Sequence, residues 1–310
     1  MINLRDNVLP GAQAQLDQLA TSLQSSVNAV HNAGTSVPPP ATLTGTATVS
    51  ASTPLSPLTG TVRLAVATSA GNLVSSYDLN LATVSGSPPT VGDLVSAING
   101  TTSTSGVSAS ISNGHLVLST AASGDGVAIN EMTSSVGSAG EGLSDYFGLN
   151  DLLTGTGASN LAVRSDIAAN PGLLATATLS SSASPSVGSQ VLSSGSATVA
   201  NNLSSALTGS TSFSSVAGLG ATTTSFASYA ADIVASVASQ ASQASSNYTS
   251  QQSMQSAFKS SMSSESGVNL DQETARLSTL QNQYTASAEL LQVINQMFSA
   301  LMSSVQAAAA

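Results

Sequence analysis

The chain has 310 residues, of which only 6% are charged, a formal net charge of -10 and no cysteine. Ordinary globular proteins carry about 25% charged residues. The acidic balance argues against a nucleic-acid partner, and the missing cysteines exclude disulfides and thiolate metal sites. No apolar run reaches the roughly eighteen residues a membrane span needs, and Met1-Ile2-Asn3-Leu4-Arg5-Asp6 lacks the cationic and apolar regions of a Sec-type signal. A surface so poor in charge suits a subunit that shares its faces with neighbours.

Residues 1–34 read as a stem helix. Over 6–32, Leu16, Leu19, Leu23, Val27 and Val30 fall on one face, Pro10 sits near the first turn and Gly34 marks the stop. Residues 35–59, with Pro38-Pro39-Pro40, Pro54 and Pro57 among serines and threonines, read as an extended linker. Over 60–141 the period changes to two. Val62, Leu64 and Val66 alternate, Leu73-Val74 and Tyr77-Asp78-Leu79 follow, and Val107 to Ile111 leads to Asn113-Gly114, a type I′ hairpin signal before Leu116-Val117-Leu118. Thr90 caps a short helix whose Val91, Leu94, Val95 and Ile98 share a face. These elements predict an inserted α+β module with an antiparallel sheet.

Residues 142–224 read as a second β-rich region with loops. Tyr146, Phe147, Leu149 and Leu152 cluster in an aromatic-poor chain and are expected to pin the return from the insertion to the stem. Asp145, Asn150 and Asp151 read as turn caps, because their spacing is not that of a calcium loop. Strands are expected through Leu161, Val163, Ile167 and Leu173-Leu174, with Asn170-Pro171-Gly172 as a turn; a Ser-rich loop covers 181–196 and a short helix 198–207.

Residues 225–310 read as a helical stem ending in a terminal coiled-coil helix. Phe226, Ala230, Ile233, Val237, Ala244, Met254 and Phe258 give a weak seam to about residue 262. After a break at 263–268, Asn269 is the expected cap of the last helix, with Asp271 and Glu273 in its first turn. From there Leu277, Leu280, Tyr284, Ser287, Leu291, Ile294, Phe298, Leu301 and Val305 alternate steps of three and four. That is a heptad seam sustained for about four heptads, apolar except at Ser287. The fold class expected is therefore α+β and multidomain, a long α-helical coiled-coil stem carrying inserted antiparallel β-rich modules. Leu277, Leu280, Tyr284, Leu291, Ile294, Phe298, Leu301 and Val305 are the candidate assembly interface.

No catalytic constellation is evident. His31 and His115 lie on a helix end and beside a hairpin turn with no carboxylate cluster near either in sequence, and Gly124-Asp125-Gly126 lacks the context of a phosphate loop. The reading is of a non-enzyme without cofactor or metal.

Three blocks of sequence carry a resemblance. Ser266-Gly267-Val268-Asn269-Leu270-Asp271-Gln272-Glu273, Gln283-Tyr284-Thr285-Ala286-Ser287-Ala288 and Ile294-Asn295-Gln296-Met297-Phe298 resemble the C-terminal segment shared by the flagellar axial proteins. Arg5-Asp6-Asn7-Val8-Leu9-Pro10-Gly11 and Ser144-Asp145-Tyr146-Phe147-Gly148-Leu149-Asn150-Asp151 are similar to runs of the hook-associated protein 1 family, which forms the junction between hook and filament. A long N-terminal region precedes the first of these runs in that family, so the chain reads as its C-terminal part: a truncation, a split product or a misplaced start. The resemblance implies self-assembly into a tubular layer that contacts the hook protein and the next hook-associated protein. It further implies secretion by the flagellar type III route to an extracellular flagellum, with a cytoplasmic export chaperone on the C-terminal helix and no membrane insertion. Two other readings stand beside it: another axial protein, hook-associated or flagellin-like, or a Ser/Thr-rich secreted adhesin.

Overall fold

In the computed structural model, which describes residues 4–308, a π-helical turn, Leu4–Val8, runs into α1 (Leu9–Asn32) with Pro10 in its first turn. The residues α1 buries are Gln15, Ala20, Val27, Asn28, His31 and Asn32, whereas Leu16 is exposed. The apolar stripe expected on this helix is therefore only partly its packing face; its last turn docks through amides and a ring. Gly34 is needed for close approach rather than for a left-handed stop. A Cβ there would lie 2.9 Å from both Ala175 Cβ and Val199 Cγ2.

The stretch read as a linker is built into the module. It supplies β1 (Thr42–Thr44) and β2 (Leu58–Thr59), and Leu43, Val49 and Leu55 are buried. Proline removes a donor but leaves its carbonyl free to accept. Pro40 and Pro89 use that freedom, taking hydrogen bonds from Val127 N–H (2.8 Å) and Leu55 N–H (2.7 Å).

The long antiparallel pair β3 (Thr61–Thr68) and β4 (Leu73–Asn80) comes next, followed by α2 (Val91–Gly100) and the single turn α3 (Thr102–Ser105). Thr90 and Asp93 form a capping box at the start of α2. β5 (Val107–Ser112) and β6 (His115–Thr120) are joined by Asn113 and Gly114, with φ of 51° and 80°, as a type I′ turn requires. β7 (Asp125–Asn130) and the two-residue β8 (Ser135–Val136), which pairs with β2, complete the module. Its strands form two three-stranded sheets, in the orders β1-β6-β5 and β4-β3-β7, instead of one.

β3 is buried on both faces. Val62, Leu64 and Val66 join the main core with α2 and both sheets; Ala65 and Ala67 face a second cluster with Leu73, Ala128, Ala177, Leu179, Val191 and Leu192. On the alanines' side of the same strand Arg63 is 1% exposed, and its Nε and Nη2 donate to Asp78 at 2.6 and 2.8 Å. Its Nη1 holds the carbonyls of Ser180 and Ser182 at 2.9 and 2.8 Å, so the Ser-rich loop is clamped over the sheet.

After α4 (Leu143–Phe147) the chain departs from the strands expected over 160–180. β9 (Leu153–Thr154) and β10 (Ala162–Val163) make one two-residue pair, and α5 (Ser165–Ala169) and a 3-10 turn (Pro171–Leu173) fill the rest. The apolar residues there are too few and too irregularly spaced to sustain a ladder, and Asn170 turns the chain by accepting from Gly172 N–H. α6 (Thr198–Thr208) packs on α1, and an unforeseen hairpin follows, β11 (Thr211–Phe213) and β12 (Thr222–Thr224). Its Phe213 stacks on Tyr229 at 3.9 Å, within a cluster that also holds Ile233, Leu19 and Phe226.

α7 (Phe226–Ser266) and α8 (Leu270–Ala308) complete the chain. By contacts it divides into two compact units, Met1–Gln240 and Ala241–Ala310. The fold is thus mixed helix and strand, with small antiparallel sheets and a long helical C-terminal part.

Candidate functional site

Two features stand out, one polar and buried in the first unit, one apolar and bare in the second. The buried one is a joint between the last turn of α1 and the segment around α4. Asn32, 2% exposed, uses every valence of its amide. Its Oδ1 accepts from Asn150 N–H (2.7 Å) and Ser144 Oγ (3.1 Å), and its Nδ2 donates to Asp151 Oδ1 (2.7 Å) and Asp145 Oδ1 (3.3 Å). One turn earlier, Asn28 Oδ1 accepts from Leu152 and Leu153 N–H at 3.0 and 2.8 Å, and its Nδ2 donates to Leu153 O at 2.8 Å. Asn150 Nδ2 closes the loop by donating to the carbonyls of His31 and Gly34.

His31 is fully buried, and its partners fix its tautomer. Nε2 accepts from Ala175 N–H at 2.8 Å, so the proton sits on Nδ1 and is given to Asn150 O. Burial pushes its pKa down, and the ring is held neutral. Glu131 caps α4 from a distant segment, its carboxylate accepting from Leu143 and Ser144 N–H, both at 2.6 Å, and from Ser134 Oγ. Asp145 is pushed up to about 6 by burial first, then by the charges of Glu141 and Asp151. The cluster joins elements; among the described residues no group of three or more His, Cys, Asp or Glu is arranged to hold a metal. Asp145, Asn150 and Asp151, read from sequence as local turn caps, bond instead to a helix more than a hundred residues away, and Leu143, Phe147 and Leu149 enter the main core. The amides of Asn28 and Asn32 and the ring of His31, spaced i, i+3, i+4, were the available sequence signal, since such a polar face on a packing helix needs partners.

His115 lies apart from this joint, its Nδ1 bonded to Ala47 O at 3.0 Å. The Gly124-Asp125-Gly126 stretch turns β6 into β7, with Gly124 at φ +85°.

In the second unit every described residue from 241 to 306 is exposed. Asn269 caps α8, its Oδ1 accepting from Asp271 and Gln272 N–H at 3.0 and 3.3 Å, and Asp271 and Glu273 lie in the first turn. The eight candidate interface residues, Leu277, Leu280, Tyr284, Leu291, Ile294, Phe298, Leu301 and Val305, all lie on α8 in the open, from 47% exposed at Ile294 to 80% at Tyr284. A helical hairpin would bury one face of each of its members. Here neither α8 nor the part of α7 beyond residue 240 has a buried face, so the seam is not satisfied within its own unit. Ser287, the polar position in the seam, returns its hydroxyl to Gln283 O at 2.8 Å. Four further apolar side chains beside the seam escaped the heptad reading: Leu290, Val293, Met297 and Met302. No helix among the described residues is long and apolar enough to cross a membrane.

Comparison with known families gives two matches. The flagellin hook IN motif matches residues 77–122, which run from the end of β4 through α2 to the end of β6 and its turn. The C-terminal segment of the flagellar basal body rod FlgEFG proteins matches residues 259–304, the end of α7 and most of α8. No curated protein matches the chain. The two family matches indicate a flagellar axial structural protein of the hook or flagellin type.

Proposed function

We propose that the chain is a structural subunit of the junction between flagellar hook and filament, assembling through its terminal helices into a tubular layer. The observation that carries this reading is the bare seam of α8. An apolar side chain fully buried on association contributes about 1.5–3 kcal/mol, and α8 holds eight such positions in one stripe with nothing to cover them. The junction role, as opposed to a place elsewhere along the axis, is supported by the Arg5-Asp6-Asn7-Val8-Leu9-Pro10-Gly11 and Tyr146-Phe147-Gly148-Leu149-Asn150-Asp151 runs. On this reading its neighbours are the hook protein and the next hook-associated protein. The subunit leaves the cell by the flagellar type III route, a cytoplasmic chaperone covering α8 until assembly.

A second reading, a rod, hook or flagellin-like axial subunit, draws on the two matched families themselves, neither of which is specific to the junction. The test is complementation of a strain lacking the junction subunit, scored by filament growth and by microscopy of the hook tip. Wild-type chain that restores filaments while Ile294→Asp and Phe298→Asp do not supports the junction reading. Incorporation along the hook or filament instead of at its tip overturns it in favour of the second.

A further inference from the structure

The chain contains two Asn-Gly pairs, Asn99-Gly100 and Asn113-Gly114, and the fold treats them in opposite ways. Asparagine before glycine is chemically labile: the backbone nitrogen of the next residue attacks the side-chain carbonyl carbon, and glycine puts no Cβ in its way. The first pair is locked. Asn99 Nδ2 donates to Ala109 O at 2.9 Å and its Oδ1 accepts from Ala109 N–H at 2.8 Å, so the carboxamide is held against β5 at the edge of its sheet. Gly100 still lies within α2, where N–H groups are taken by the helical ladder.

The second pair has neither restraint. Asn113 and Gly114 are the two residues of the β5–β6 turn, and Asn113 is exposed. Among the described residues the Asn113 carboxamide has no hydrogen-bond partner, and the Gly114 N–H, between the closing pair Ser112 and His115, donates to none. Both residues sit at positive φ, 51° and 80°, which for Asn113, unlike Gly114, is a thinly populated region of the backbone. The reacting atoms belong to neighbouring residues, so no other group has to bring them together.

We propose that Asn113 is a site of self-modification, converted through Gly114 to aspartate and isoaspartate while Asn99 is spared. The Gly114 nitrogen bonds to Asn113 Cγ, and the Cγ–Nδ2 bond breaks. Nδ2 leaves as ammonia, taking up the equivalent of the Gly114 amide proton. Water then opens the cyclic imide. Breaking its bond from Gly114 N to Cγ gives aspartate. Breaking the bond from Gly114 N to the main-chain carbonyl carbon of Asn113 gives isoaspartate, with Cβ now in the backbone. The first product adds a negative charge to the turn. The second adds a main-chain atom to a turn whose two residues set the β5–β6 register, and whose Gly114 O holds Val49 N–H at 2.7 Å.

The two pairs serve as each other's control, so the test needs no variant. The full chain is held in mildly alkaline buffer below its unfolding temperature, beside a second sample unfolded in urea. Both are sampled over days and digested with pepsin. The peptides carrying Asn99 and Asn113 are followed by mass spectrometry, and isoaspartate is detected with its specific methyltransferase. In the folded chain Asn113 should convert at least tenfold faster than Asn99, and in urea the two rates should approach each other. Equal rates in the folded chain overturn the proposal. So does an Asn113 that converts only in urea, since the turn would then protect it. A difference that persists undiminished in urea overturns the role of the fold in sparing Asn99.

Discussion

Replacing Asn32 by alanine removes four hydrogen bonds at a site closed to water. Two are to carboxylates, those of Asp151 and Asp145, at 2.7 and 3.3 Å, and one is to the Asn150 N–H, which has no substitute acceptor once the amide is gone. The fourth, from Ser144 Oγ, is recoverable because a hydroxyl rotates. A hydrogen bond to a charged group is worth roughly 1.5–3 kcal/mol and an orphaned buried donor costs roughly 1–3. Discounting Asp145, whose bond is long and whose carboxyl is partly exposed, the loss is about 2.5–6 kcal/mol. In a unit of this size each kcal/mol moves the midpoint by roughly 2–4 °C, so the first unit's transition in scanning calorimetry of the full chain should fall by about 5–24 °C. Ser22→Ala, on the same helix but outside the joint, should leave it in place. A fall of less than about 3 °C for Asn32→Ala would refute the view that the amide network, and not the apolar core alone, fixes α1 to the module.

Asp145, raised to about 6 from 3.8, binds its proton more tightly folded than unfolded. Its contribution is present at low pH and is lost as pH rises from about 4 to about 6; urea unfolding across that window should show Asp145→Asn less pH-dependent than wild type, and an unchanged slope counts against it. His31 has the opposite sign: its lowered pKa favours the neutral ring, so stability is lost as pH falls below 6.5. Protonation at Nε2 also removes the acceptor for Ala175 N–H, and exchange of that amide should quicken in acid relative to amides of β3. Glu131→Gln keeps one oxygen where two N–H groups now bond to a charged carboxylate, and should cost about 1–3 kcal/mol in the first unit. Ile294→Asp, by contrast, should abolish association in sedimentation while leaving that unit's melting unchanged, since Ile294 lies outside it on an exposed face.

Elements that advertise themselves by local chemistry were legible from sequence. The capping box at Thr90 and the left-handed pair Asn113 and Gly114 act over a few residues, as does the alternation of Val62, Leu64 and Val66, and each has its expected structure. What escaped depends on residues far apart. Ala65 and Ala67 look like the small, indifferent face of a strand until the segment around Ala177 and Leu192 is seen packed on them. Asn28 and Asn32 look like solvent-facing positions because their partners lie beyond residue 140. The prolines of 35–59 suggest a free linker only if their carbonyls are forgotten. On α8 the heptad rule, by counting a and d alone, passed over the exposed Met297 and Met302.

The hydrogen bond between Asn32 and Ser144 joins residues 112 apart in sequence, so the segment that builds both three-stranded sheets begins and ends at one joint. Such an excursion can lengthen, shrink or be exchanged with little strain at its threshold, because closing a longer loop costs only about 0.6 kcal/mol for each doubling. Variation in the length of the module's loops is thereby separated from the geometry of the joint, whose width is kept by the amides of Asn28, Asn32 and Asn150 together.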